Sequence, residues 1–203
     1  MLEDFAPNHD GTDDADDSGD EAADAAAADL DEMVQILYCS RTHSQLAQFV
    51  DEVKKSPFGE QVRVVSLGSR GSLCVNDVVR KLTSVARMND KCKDLQTKKS
   101  SGASSAGTAE KSDGGGSSGG GCPFMHQKRV DLLSDRILTE VQDIEQVVNL
   151  GRRAKACSYY ASRKATRMAQ VIAMPYNMLV HKGTREAVGI NLKNSIAIVD
   201  EVT

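Results

Sequence analysis

The sequence predicts an α/β fold, built as an incomplete parallel sheet interrupted by a mainly helical, cysteine-containing insertion. Three observations predict it. Short apolar runs near residues 34–38, 62–67, 171–174 and 195–199 alternate with stretches of helical periodicity. Most of the helical periodicity falls between the second and third of those runs, where four of the five cysteines also lie. Two segments have a composition that cannot build a core, residues 1–32 and 98–121.

The elements follow in order. Residues 1–32 hold 13 acids and no Lys or Arg, with almost no large apolar side chains, so they read as a disordered acidic tail. Val34, Ile36, Leu37 and Tyr38 form an apolar run ending at Cys39-Ser40, the pattern of a buried parallel strand. From Ser44 to Lys55, Leu46, Phe49, Val50 and Val53 mark one face of a helix, which Ser56-Pro57-Phe58-Gly59 ends. Val62–Leu67 is a second strand, followed by a turn at Gly68–Gly71. Asn76 is placed as the N-cap of one helix running to about Leu95.

Ser100–Gly121 has eight Gly and seven Ser in 22 residues, a flexible linker. Leu132, Leu133, Ile137, Leu138 and Val141 define the next helix, and Ile144, Val147, Val148 and Leu150 another, with Gly151 as its end or break. Val171–Met174 is a third strand closed by Pro175, Tyr176–Ala187 a helix, and Ser195–Val199 a fourth strand.

The whole chain carries 25 Lys+Arg against 29 Asp+Glu, but outside residues 1–32 the balance is 25 bases to 16 acids, a net of +9. A basic body of this kind suits a polyanionic partner. No apolar run approaches the roughly 18 residues of a membrane-spanning helix. The N-terminal residues lack both the basic and the apolar region of a secretory signal, and an Arg-rich transit pattern, so the cytosol or nucleus is expected. Five cysteines in such a compartment suit metal ligation or quiet core thiols better than disulfides.

Three constellations carry chemistry. Ser40-Arg41-Thr42-His43-Ser44-Gln45 joins a strand to a helix. It combines hydroxyls, an imidazole, an amide and helix N-terminal N–H groups, which are tools for phosphate or for helix capping alike. Asp200-Glu201 follows the apolar strand Ile196–Val199, as in a Walker B element, where the first acid can hold Mg²⁺ and the second can orient water. Cys74, Cys92, Cys122 and Cys157 are separated by 17, 29 and 34 residues and contain no Cys-x-x-Cys knuckle. Dispersed thiols suit a [4Fe–4S] cluster; a zinc site or free thiols are the alternatives. Cys39 reads as a core thiol.

Taken together these runs resemble the iron–sulfur, DEAH-type superfamily 2 DNA helicases, the XPD-like group, and within it the branch linked to sister-chromatid cohesion. Leu37–Leu46 is similar to their motif Ia. Ser66-Leu67-Gly68-Ser69-Arg70 with Leu73-Cys74-Val75-Asn76 is similar to the entry of their cluster domain. The likeness covers roughly residues 33–97 and 122–201.

The resemblance implies a partial RecA-like lobe at 33–70 and 166–203, with an iron–sulfur insertion at 71–165. It implies that Cys74, Cys92, Cys122 and Cys157 ligate a [4Fe–4S] cluster. Arg41, Thr42, His43 and Gln45 would line the path of single-stranded or forked DNA. Asp200 and Glu201 would open the DEAH box, serving Mg²⁺ and ATP hydrolysis. The activity implied is that of a nuclear, ATP-dependent 5′→3′ DNA helicase acting in DNA repair and genome maintenance, in which the cluster domain helps to form a pore for one strand.

Three positions depart from the family pattern. No GxxxxGK[ST] phosphate loop lies in residues 1–39, Val202-Thr203 follow Asp200-Glu201 in place of the rest of the box, and Ser158 stands where the family usually has Pro. The expectation is a fragment that does not hydrolyse ATP alone and whose sheet has exposed edges. A non-catalytic single-stranded-DNA or partner-binding module and a four-cysteine zinc module are the competing readings.

Overall fold

The computed structural model describes residues 34–100 and 121–200, with the side chains of 98–100 left aside. The acidic tail, most of the Gly/Ser segment and Glu201 lie outside the described residues.

Four parallel strands make one sheet: β1 (Gln35–Ser40), β2 (Val64–Ser66), β3 (Val171–Pro175) and β4 (Ser195–Val199), in the order β2-β3-β1-β4. Leu37 pairs with Ile172 on one side and Ala197 on the other. All four predicted strands are present, although β2 is only three residues long.

Strand alternation splits the apolar side chains between two faces. Helix α1 (His43–Lys55) covers one face, where Leu46 and Val50 pack with Val64, Val171 and Ala173, and with the half-buried Ile36, Tyr38 and Phe49. Leu37, Cys39, Val65, Ile172 and Met174 point to the opposite face. There they join Val130, Leu133 and Ile137 of α5 (Gln127–Leu138), Val147 and Val148 of α6 (Ile144–Ala154), and Ala161 and Ala165 of α7 (Ser158–Ala165) in one continuous core. The helical insertion and the second face of the sheet therefore share their buried residues.

Four sequence expectations need correction. The single helix from Asn76 to Leu95 is two helices, α3 (Asp77–Arg80) and α4 (Val85–Ser100). Asn76 does cap α3, accepting the Val78 N–H at 3.0 Å, but the chain leaves the helix at Lys81 and re-enters three residues after Leu82. A further short helix, α2 (Arg70–Leu73), occupies part of the expected turn and is capped by Ser69. The helix over 176–187 is interrupted at His181, giving α8 (Tyr176–Val180) and α9 (Lys182–Val188). The small, polar stretch of α7 has no clear apolar periodicity and was not anticipated as a helix.

Gly151 does not end α6. The helix continues to Ala154, and Lys155 closes it with φ of 50°. Gly151 is needed for packing: a Cβ there would stand 2.0 Å from Ser158 Oγ and 3.0 Å from the Ala156 carbonyl. The Ser158 hydroxyl donates to the Val147 carbonyl at 3.0 Å, which ties the start of α7 to α6.

β4 is an edge strand. Among the described residues nothing pairs with its outer side, and Ile196, Ile198 and Val199 are 55%, 45% and 44% exposed.

Two outcomes follow from this packing. Gly151→Ala forces α6 from α7 and costs about 1–3 kcal/mol, the usual range for overpacking, read as a lower urea midpoint with unchanged m-value. Burial pushes the Cys39 thiol from 9.0 up to about 11. The folded state therefore holds the neutral thiol, a stabilisation present below about pH 9 and lost as pH rises towards 11. Urea midpoints measured from pH 8 to 11 fall less steeply for Cys39→Val than for the parent chain.

Candidate functional site

The carboxyl ends of β1 and β4 lie side by side, and strand register places Tyr38, Ser40 and Asp200 on the face that α1 covers. Thr42 caps α1 through a reciprocal box. Its hydroxyl accepts the Gln45 N–H at 3.3 Å, and its own N–H donates to Gln45 Oε1 at 3.2 Å. The Ser40 and Thr42 hydroxyls donate to the same oxygen at 2.7 and 2.8 Å. Thr42 and Gln45 thus shape the loop by bonding each other. Arg41 and His43 are the two exposed members of the predicted set whose charged or polar ends are not used in this box.

Asp200 is held twice by β1. Its N–H donates to the Cys39 carbonyl at 2.8 Å, and the Tyr38 hydroxyl donates to its Oδ2 at 2.8 Å. The Tyr38 ring is itself stacked on Phe49 of α1, with centroids 3.7 Å apart and planes 6° apart. Tyr38 is a site residue that sequence reasoning missed; its only signal was period-two alternation with Ser40 on a strand pointing at the acid.

A cleft of about 570 Å³ opens beside the start of α1. His43 and Ser44 line it from α1, Ser72 from α2, Arg80 from α3, and Asn149 and Arg152 from α6. The acids Asp143 and Glu145 also border it. His43 Nε2 lies 3.3 Å from Ser72 Oγ, a direct bond between the loop after β1 and the entry to the cysteine region. Gly68 sits against this contact, where a Cβ would be 3.1 Å from Ile144 Cδ1 and 3.6 Å from His43 Cε1. Arg80 and Arg152 were not anticipated, because their only sequence signal is a base in the last turn of a short helix.

The four expected ligand cysteines come from four segments. Cys74 follows α2, Cys92 lies in α4, Cys122 precedes α5, and Cys157 caps α7. Backbone bonds draw the segments together. The Cys122 N–H donates to the Leu95 carbonyl at 3.1 Å, and the Cys157 N–H to the Phe124 carbonyl at 3.0 Å. Cys74, Cys92 and Cys157 are buried and Cys122 is half-buried; none forms a disulfide.

The thiols feel one another. Burial raises the Cys74 pKa, partly offset by a backbone bond at Asn76, and Cys92 and Cys122 add repulsion. Burial pushes Cys157 up to about 11, and Cys74 and Cys122 add to it. Side-chain amides reach two of the sulfurs: Asn76 Nδ2 donates to Cys122 Sγ at 3.4 Å, and Gln96 Nε2 to Cys92 Sγ at 3.3 Å.

Arginine surrounds the group. Arg70 donates to the Tyr160 hydroxyl and to Asn89 Oδ1, both at 3.0 Å, and lies 4.2 Å over the Tyr159 ring, while Arg163 lies 3.4 Å from the same ring. Burial opposes the Arg70 charge, but the nearby Cys92 sulfur and the two tyrosines hold its pKa above the ordinary value.

Three of the sulfurs are buried and one is half-buried, and they feel one another's charge; the Cys74 and Cys157 thiols are raised above the ordinary range, so both are neutral in the absence of a cation. A single zinc ion needs donors converging at about 2.3 Å from one point. Among the described residues no three His, Cys, Asp or Glu are grouped so as to hold a metal ion.

The DEAD_2 family model matches residues 38–203. The human ATP-dependent DNA helicase DDX11 (Homo sapiens) is 52% identical over 175 residues, covering 85% of this chain and 18% of that protein. The ATP-dependent DNA helicase chl1 of Schizosaccharomyces pombe is 41% identical over 172 residues, covering 82% and 18%. A solved structure of truncated XPD has a TM-score of 0.49 at 16% identity, covering 92% of this chain and 46% of that one. The chain thus spans about a fifth of the length of the curated relatives it matches. With the family model running from the middle of β1 through β4 and across every cysteine of the insertion, this chain belongs to the DEAD_2 family.

Proposed function

We propose that this chain is part of an ATP-dependent DNA helicase, supplying the DNA-facing loop of a RecA-like lobe (residues 33–70 and 166–203) and an iron–sulfur insertion (residues 71–165). The observation that carries the reading is the meeting of two motifs at adjacent strand ends. The Ser40–Gln45 loop and Asp200 sit at the carboxyl edge of a parallel sheet, joined by the Tyr38–Asp200 bond. That edge is where open α/β sheets do their chemistry.

In this reading Arg41 and His43 contact the backbone of single-stranded or forked DNA. Thr42 and Gln45 give the loop its shape, and Arg80 and Arg152 border the adjoining cleft. Phosphate is drawn by the positive charge of the body and by the N-terminus of α1. Asp200, held by β1 through its N–H and Oδ2, would hold a hydrated Mg²⁺, and Glu201 would orient the attacking water, in the complete motor. When bound, a [4Fe–4S] cluster supplies a rigid cross-link among the segments of Cys74, Cys92, Cys122 and Cys157. These thiolates hold it, with Arg70 balancing their charge. The direction of translocation is 5′→3′, the setting nuclear, and the cellular work genome maintenance, including chromatid cohesion.

No GxxxxGK[ST] loop occurs in the 203 residues, so nothing in this chain cradles the β- and γ-phosphates. The purified chain is expected to bind a labelled oligo-dT with an affinity that falls steeply with salt, and to turn over no ATP with or without it. Arg41→Ala lowers the affinity several-fold and reduces the salt slope by about one phosphate contact. Binding unaffected by salt, or DNA-stimulated ATP turnover by the chain alone, contradicts the reading.

Anaerobic purification tests the metal assignment. The chain is expected to be brown, to absorb near ~400 nm, and to carry about four irons and four sulfides. Cys157→Ser removes most of both. A colourless chain with one zinc supports the zinc module instead, and a metal-free folded chain that still binds DNA supports a plain binding module.

A further inference from the structure

The cleft beside the start of α1 is lined from two parts of the chain. His43 and Ser44 open α1, whereas Arg80 lies on α3 and Glu145, Asn149 and Arg152 on α6. The three α6 residues are spaced by four and by three positions, so they share one face of the helix. Glu145 stands in its first turn and Arg152 in its last, about 10 Å apart along the axis. The row therefore runs from acid to base with an amide between.

The helix dipole favours each of those charges singly. It does not explain Arg80, which reaches the same cleft from α3, a helix of only four residues. Neither arginine is ion-paired among the described residues, although Asp143 and Glu145 border the same cleft. The Asp143 carboxylate is engaged instead as the cap of α6, accepting the Gln146 N–H at 2.7 Å. Arg80 and Arg152 are both exposed, so their charge is offered to a ligand from solvent. Leu46, Ala47, Ile144 and Val148 add apolar lining, and the volume of about 570 Å³ is that of a pocket for one small organic group.

We propose that this cleft is a nucleotide subsite for a single strand, with Arg80 and Arg152 holding a phosphate and the apolar lining receiving the base. The inference rests on the reading that the Ser40–Gln45 loop binds single-stranded DNA. Guanidinium forks match phosphate oxygens in both charge and shape. Every base has an apolar face, so aliphatic contact with it does not choose among sequences. Glu145 repels phosphate and keeps the backbone at the arginine end of the row. The strand is thereby held by the insertion as well as by the loop after β1. His43, with Nε2 3.3 Å from Ser72 Oγ, joins those two parts at the cleft itself.

The test uses the full 203-residue chain as parent, Arg80→Gln, Arg152→Gln, the double variant and Glu145→Gln. Labelled oligo-dT is titrated by fluorescence anisotropy over a series of salt concentrations. Each arginine variant is expected to weaken binding several-fold and to lower the salt slope by about one, and the double variant by about two. Glu145→Gln is expected to act in the opposite direction, tightening binding about 2-fold at low salt. A merely structural role for these residues would not give effects of opposite sign. Arginine variants with the parent's affinity and slope overturn the subsite, as does weaker binding by Glu145→Gln. Displacement of the oligomer by excess dTMP from the parent but not from the double variant indicates a free-nucleotide site and overturns the strand assignment. If Arg41→Ala weakens binding while the cleft variants do not, only this inference falls. If the parent chain binds no oligo-dT, the DNA reading falls and this inference with it. For a Gln variant that loses its far-UV circular dichroism, Arg→Met at the same position repeats the measurement with the apolar stem kept.

Discussion

The parallel pairing of β1 on both sides is the constraint on which the rest depends. β3 and β4 come from the far end of the sequence, yet β1 lies between them, in register from Ile36 to Ser40 with Val171 to Pro175 and from Gln35 to Cys39 with Ser195 to Val199. That double pairing satisfies the backbone of β1 and presents its side chains alternately to two covered faces. It also fixes three positions at once: the loop that begins at Arg41, the carbonyl that holds Asp200, and the ring that donates to its carboxylate. Moving β1 by one residue would turn Tyr38 from Asp200 and put Leu37 in its place.

The cysteine region is joined to this centre rather than hung from it. Its helices bury their apolar faces in the same cluster as Leu37, Ile172 and Met174, so the sulfur-bearing segments rest on the back of the sheet. On the front the connection is polar and local, through His43 and Ser72 beside Gly68. Changes on either side thus have two routes to the other, one through packing and one through a single side-chain bond. The arginines add a third feature, since Arg70 touches Tyr159 and Tyr160 and reaches the sulfur region from the segment that leaves β2.

Much of this was legible in the sequence because it rests on periodicity. The four strands, α1, α5 and α6 follow from apolar spacing, and buried strand ends marked the loop and the acid. What escaped depends on partners distant in the chain. Gly151 looked like a helix end, yet the reason for it is Ser158, which only the folded α6–α7 corner brings near. The apolar pattern over 76–95 fits one helix, but Asn76 caps only a short one, and its free N–H goes to a sulfur 46 residues away. Tyr38 read as one more apolar strand residue, while its hydroxyl works 162 residues downstream. The loop at Thr42–Gln45 was ambiguous between capping and phosphate binding, and the geometry divides the labour among its members.

The order of the strands also governs how the molecule comes into being. Among the described residues, the two neighbours of β1, β3 and β4, follow it in the chain by more than 130 residues. Parallel partners so far apart close slowly, and an unpaired apolar strand is a target for other chains in the interval. During synthesis Gln35–Ser40 therefore waits with α1 over only one of its faces. The long stretch between β2 and β3 lengthens the interval before the sheet can close.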